Sequence, residues 1–203
     1  MYFLVKLYPD NKPIPERVTH DLFTIRPLLP ADYKLDYEAV MDSLDYYREF
    51  NPSEWSASNF DLSQNKKELE NHLEDHLSKK SFTLTIASNE AEEILGCIYI
   101  NHLSGLLTWL KQSREKISQV CDFEAQVYLW TRPSCIETDL DRKILEVLEK
   151  WLEEKWAFKS ICFQTYEADV RQVANLLSIG LSQELSAALP KGNGKVGIYR
   201  RIK

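Results

Sequence analysis

His72 and His76 stand one helical turn apart, a spacing at which two imidazoles can share one metal ion. No HExxH pattern surrounds them and no third ligand lies nearby, so a partly buried helix face is the reading their context favours. The four cysteines, Cys97, Cys121, Cys135 and Cys162, are widely separated and form no CxxC pair. That spacing fits free thiols in a reducing compartment, with Cys97 and Cys162 in apolar runs as core residues are. Glu137, Asp139 and Asp141 alternate along a stretch that also carries Arg142 and Lys143. Placed at a helix start, those carboxylates are favoured by the same dipole that attracts a phosphate. The net charge of -6 and the sparse basic stretches at Lys111–Lys116 and Lys191–Lys195 argue against a nucleic-acid partner.

The elements that must position these groups can be read from periodicity. The chain of 203 residues, 44% hydrophobic and 28% charged, is long enough for one domain with a substantial core. It has no signal-peptide pattern at its start and no apolar run long enough to cross a bilayer, which predicts a soluble, cytoplasmic protein. No repeat or linker divides it, so residues 1–203 read as a single domain with 1–19 as an N-terminal extension packed on it. Residues 2–8 and His20–Pro27 read as strands, and Asp32–Phe50 as an amphipathic helix with room for one break. A second helix opens at Ser63, followed by the strands Phe82–Ala87 and Ile94–Asn101. Residues 103–121 are ambiguous, with helical character over Leu106–Ile117, and have no assigned role.

Phe123–Arg132 alternates, with Ala125, Val127 and Leu129 on one face and Glu124, Gln126, Tyr128 and Trp130 on the other. Thr138–Trp156 is the strongest helix pattern, with Thr138 and Asp141 as a capping-box-like start. Its buried stripe runs through Leu140, Ile144, Val147, Leu148, Trp151 and Leu152. A strand at Ser160–Tyr166, a helix at Asp169–Ser178 stopped by Gly180, and strands Leu181–Leu185 and Val196–Ile202 complete the pattern.

In this order of elements the chain resembles the GNAT acyltransferase superfamily over roughly residues 20–203. The stretches FTIRPLLPADY, ILGCIYI, QVYLWTRPS and DVRQVANLLSIGL carry the resemblance. Together, Trp55 with Asn65, Leu95-Gly96-Cys97 with Tyr99, and Trp130 with Arg132 look like an uncharacterised bacterial branch. The resemblance implies an α/β fold with a mixed, mostly antiparallel central sheet of about seven strands flanked by about four helices. It also implies an acyl-CoA-dependent N-acyltransferase, acetyl-CoA being the co-substrate, that acts on a small amine or peptide amine and pairs into homodimers. The alternative is a catalytically silent protein of the same fold that binds a small molecule or a partner.

By the same resemblance, Leu129, Trp130 and Thr131 would hold the thioester through their main chain. Arg132, Thr138, Leu140, Arg142 and Asp169 would surround the rest of the cofactor, Glu124 would act as base and Tyr166 as acid. Trp55, Asn65, Tyr99 and Asn101 would build the acceptor pocket. Two departures stand out. Members of the superfamily cradle the pyrophosphate with glycines before the long helix, whereas Ser134–Arg142 contains none. Their usual acid, a tyrosine on the helix after the fifth strand, is matched here by Leu176.

Overall fold

The computed structural model describes residues 6–50, 60–90, 92–118, 124–191 and 193–201. Its centre is an eight-stranded sheet in the order β1-β2-β3-β4-β5-β6-β8-β7. The strands are β1 (Val18–Thr19), β2 (Phe23–Pro27), β3 (Phe82–Ser88), β4 (Ile94–His102), β5 (Glu124–Thr131), β6 (Ser160–Tyr166), β7 (Ser182–Ala188) and β8 (Lys195–Arg200). Among the described residues only β5 and β6 pair in parallel, and the crossover between them is helical, long enough for parallel pairing. The helices are α1 (Tyr33–Arg48), α2 (Leu62–Leu77), α3 (Leu103–Trp109), α4 (Arg114–Ser118), α5 (Pro133–Glu137), α6 (Leu140–Lys155) and α7 (Val170–Ser178). The sheet therefore has one strand more than expected, and the seven helices among the described residues exceed the expected four because the short α3, α4 and α5 carry little periodic signal.

The alternation in β5 sorts side chains onto two faces. Ala125, Val127 and Leu129 pack with Ile144, Leu145, Leu148 and Leu152 of α6, each of those helix residues 1% exposed or less. Burying one such side chain contributes roughly 1.5–3 kcal/mol. Trp130 joins Ala39, Leu44 and Tyr47 of α1 and Leu69 of α2 on the opposite face, with Tyr99 and Tyr128 packed against them. Cys97 and Cys162, expected in the core, are both fully buried.

Several boundaries move for local reasons. Helix α1 is unbroken. Helix α2 starts one residue before Ser63, because the side chain of Asp61 accepts from Gln64 N at 2.8 Å and caps it. The expected strand at 2–8 lies partly outside the described residues; Leu7 and Tyr8 are not strand but plug the core on the α6 face. Lys79, at φ 61°, holds that segment by donating to the carbonyls of Pro9, Asp10 and Lys12. Gly180, at φ 84°, ends α7 in the left-handed conformation that its sequence position predicts.

Candidate active site

Strands β5 and β6 stay in register from Glu124 opposite Ser160 to Val127 opposite Phe163. Pairing stops there, although β5 runs on to Thr131 and β6 to Tyr166. The two strands diverge, and the main-chain groups of β5 that would meet β6 need other partners. Tyr47 supplies them at Thr131. Its hydroxyl accepts from Thr131 N and donates to Thr131 O, both at 2.9 Å. Burial raises the Tyr47 phenol well above its usual pKa, so it stays a hydroxyl able to play both parts. Tyr46 beside it is pushed up to about 12, first by burial and then by the charges of Asp169 and Asp141.

The start of the long helix differs from expectation. Pro133 opens the five-residue α5, and α6 begins only at Leu140. Thr138 lies between them and turns its hydroxyl back to Ser134 O at 3.0 Å. Asp139 takes the left-handed conformation, φ 59° and ψ 17°, which Asp tolerates better than most residues. Its side chain caps no amide of the first turn. Instead Asp139 pairs with Arg142 and, more closely, with Arg171 of α7, and these arginines hold its carboxyl below its usual value. Asp141, 3% exposed, takes two bonds from Arg171, Nε at 2.9 Å and an Nη at 2.8 Å, and a third from Asn175 Nδ2 at 2.7 Å. Asp139 and Asp141 are thus neutralised by arginines of the chain itself.

The remaining expected residues fall into three groups. Leu129, Trp130 and Thr131 sit at the divergence, 5%, 2% and 4% exposed, and Tyr166 ends β6 there, 2% exposed and edge-on to Tyr128. Leu140 packs partly buried on the core, and Asp169 caps α7 by accepting from Gln172 N at 3.0 Å, its carboxyl raised by burial. Arg142 is exposed and bonded to Asp139 and Glu146. A second group is tied up elsewhere. Glu124 opens β5 at the end remote from the divergence, paired with Arg200 of β8. Arg132 bonds Asp42 at 2.6 Å, Glu93 at 3.1 Å and Ile94 O at 2.8 Å, bracing α1 against β4. Asn65 is buried on α2 and donates to Tyr33 O at 2.8 Å, joining the two helices. Leu176 is wholly buried. Trp55 lies outside the described residues.

Tyr99 and Asn101 do line a cavity of about 510 Å³ on the α1–α2 face of the sheet, bordering the divergence. Gln126, Tyr128 and Gln164 share its floor, and α3 forms a wall through Trp109. Sequence reasoning assigned no part in the site to Gln126, Gln164, Tyr47 or Arg171. A signal existed: Gln126-Val-Tyr128 and Gln164-Thr-Tyr166 place the same Gln-x-Tyr pattern on both strands of the parallel pair.

These features define the GNAT fold: antiparallel strands, then a parallel pair that parts beside the start of the long crossover helix. No family model and no curated protein match the sequence. Solved structures do. A ribosomal-protein-S5-alanine acetyltransferase from Vibrio fischeri superposes with a TM-score of 0.72 at 12% identity, covering 93% of this chain and 97% of that one. RimL, a ribosomal L7/L12 α-N-protein acetyltransferase in complex with coenzyme A, gives 0.70 at 11% identity, with coverage of 92% and 98%. The microcin C7 self-immunity acetyltransferase MccE, in complex with acetyl-CoA and AMP, gives 0.67 at 13%, with coverage of 91% and 94%. The chain shares their fold along nearly its whole length.

Proposed function

We propose that this protein is an acyl-CoA-dependent N-acyltransferase, with acetyl the expected acyl group, that transfers directly to a small amine or peptide amine. The observation that carries the reading is the parting of β5 and β6 after Val127 and Phe163 beside a polar cavity. A thioester threaded through such a gap meets strand main chain on one side and the acceptor on the other. In this reading the Thr131 N–H that now donates to Tyr47 is the donor the thioester carbonyl takes. Tyr166, at the end of β6, returns a proton to the leaving thiolate. Glu124 is committed to Arg200 and holds β5 near β8, so the amine gives up its proton to solvent in the cavity.

A second reading, a silent binding protein of the same fold, is favoured by one specific observation. The start of α6 is already neutralised by Arg142 and Arg171, and nothing there offers the close glycine approach a pyrophosphate needs. Calorimetric titration with acetyl-CoA, and with free CoA alongside, separates the two. Micromolar binding weakened by Thr131→Pro, which removes the strand N–H, supports transfer. Absence of binding up to millimolar donor sinks it.

A further inference from the structure

Gln126 and Gln164 are 4% and 8% exposed, and both line the 510 Å³ cavity. Each carboxamide offers two donor hydrogens and an acceptor oxygen. Among the described residues neither side chain makes a hydrogen bond. The two carboxamides lie on neighbouring strands two residues out of step, Gln126 opposite Cys162 and Gln164 just past the last paired residue, and both open onto the cavity with their hydrogen-bonding groups uncommitted. Around them the cross-strand pairs are ordered: Tyr99 faces Tyr128, and Asn101 faces Gln126. The two tyrosine rings lie within 19° of parallel, centroids 6.2 Å apart, and stack on one another at the cavity. Trp109 overhangs it from α3, 40% exposed. Among the described residues no carboxylate lines the cavity, and Lys80 stands at it with only Asp75 at 3.5 Å for a partner.

We infer that this cavity takes a hydrogen-bonding molecule with adjacent donor and acceptor groups and an apolar part, bearing no charge beyond the one amine that reacts. An amide-bearing or a hydroxyl-bearing amine fits; a polyamine does not, because its charges would meet no carboxylate and one lysine. As an acceptor site the inference rests on the acyl-transfer reading, but as a binding site it stands apart from it.

Binding is therefore measured without any acyl donor, by calorimetry and by the fluorescence of the tryptophan at the cavity wall. The probes are alaninamide for the amide source, glucosamine for the hydroxyl source, and spermidine for the excluded class. Saturable binding of either of the first two, at least about tenfold tighter than spermidine, is expected. Gln126→Leu and Gln164→Leu, with Gln126→Met as a volume-conserving check, should each weaken it about tenfold while leaving the melting temperature about unchanged, since no hydrogen bond within the protein is lost. Spermidine binding tightest, no saturable binding by either monoamine probe, or variants that melt lower yet bind as the parent does would each overturn the inference. Monoamine-probe binding without any acetyl-CoA binding would remove the acyl-transfer reading and leave this one standing.

Discussion

Asp141 lies beneath Arg171 and Asn175 at the first turn of α6, so changing it to asparagine has two consequences that can be read separately. The first is on stability. Breaking a buried ion pair by removing one partner costs about 3–5 kcal/mol. Here the arginine is 36% exposed and keeps Asp139, and the asparagine oxygen can still accept from Asn175. A loss of about 2 kcal/mol is the discounted figure, or about 4–8 °C in melting temperature for a domain of this size. The second consequence is on the donor. A carboxylate about 6 Å from a pyrophosphate charge, in an effective dielectric of about 40, repels it by about 1.4 kcal/mol, a factor of about ten. Asp141→Asn should therefore bind acetyl-CoA about tenfold more tightly while melting lower, and the gain should shrink with added salt. Calorimetry and differential scanning fluorimetry on the same preparation read both. A variant that melts lower but binds acetyl-CoA no better than its parent would refute the argument that this carboxylate occupies the pyrophosphate position.

Four further outcomes follow from single contacts. Tyr47→Phe strands Thr131 N and O in a buried place and should cost about 2 kcal/mol in urea denaturation; an unchanged midpoint would mean the divergence is not closed by this phenol. Gly96→Ala drives a methyl to 2.2 Å from Trp130 O and 2.9 Å from Thr131 Cα, so it should lower stability by about 3 kcal/mol and reduce acetyl-CoA binding with it. Lys79→Ala removes three carbonyl partners and puts alanine at φ 61°, whereas Lys79→Gly keeps the backbone at ease; limited proteolysis should cut the segment before Pro15 faster in both, with the alanine variant the less stable of the two. Burial holds the Asp36 carboxyl above its usual 3.8, beside Cys97 and Asn65. Its stabilising contribution is full below that value and lost as pH rises through the folded pKa, so Asp36→Asn should match the parent near pH 3 and exceed it at neutral pH, checked by denaturation midpoints across pH.

How far the sequence reached depends on the kind of signal. The two faces of β5 were legible because alternation reports burial directly, and Ala125, Val127 and Leu129 lie where it put them. The limits of β6 agree with those read from the sequence, where Ser160–Tyr166 carries an apolar centre at Ile161–Phe163 between polar flanks. The start of α6 was not legible. Thr138 has the type of an N-cap, yet an αL residue at Asp139 separates it from the helix, and no local pattern announces that conformation in a non-glycine residue. The pocket was half legible. Tyr99 and Asn101 follow from strand alternation, but Gln164 reaches the same floor only through the pairing of β5 with β6, and α3 is too short to show a period. Asn65 and Arg132 have the right chemistry for a site and spend it on bracing α1, a choice that only distances reveal.

The placement of β8 bears on how the chain comes to be made. β8 follows β7 in the chain yet lies between it and β6, so β7 reaches the sheet only through β8. During synthesis β6 and α7 emerge first, and the edge of β6 beyond the divergence stays open until β8 leaves the ribosome. The gap that separates β5 from β6 at Tyr128–Thr131 offers no substitute partner on the other side. The late-arriving Lys195–Arg200 is thus the step that commits the C-terminal half of the sheet, and it brings Arg200 to the buried Glu124 in the same move. Released chains ending just before β8 should expose an unpaired strand edge and recruit chaperones, while chains that include Lys195–Arg200 should not.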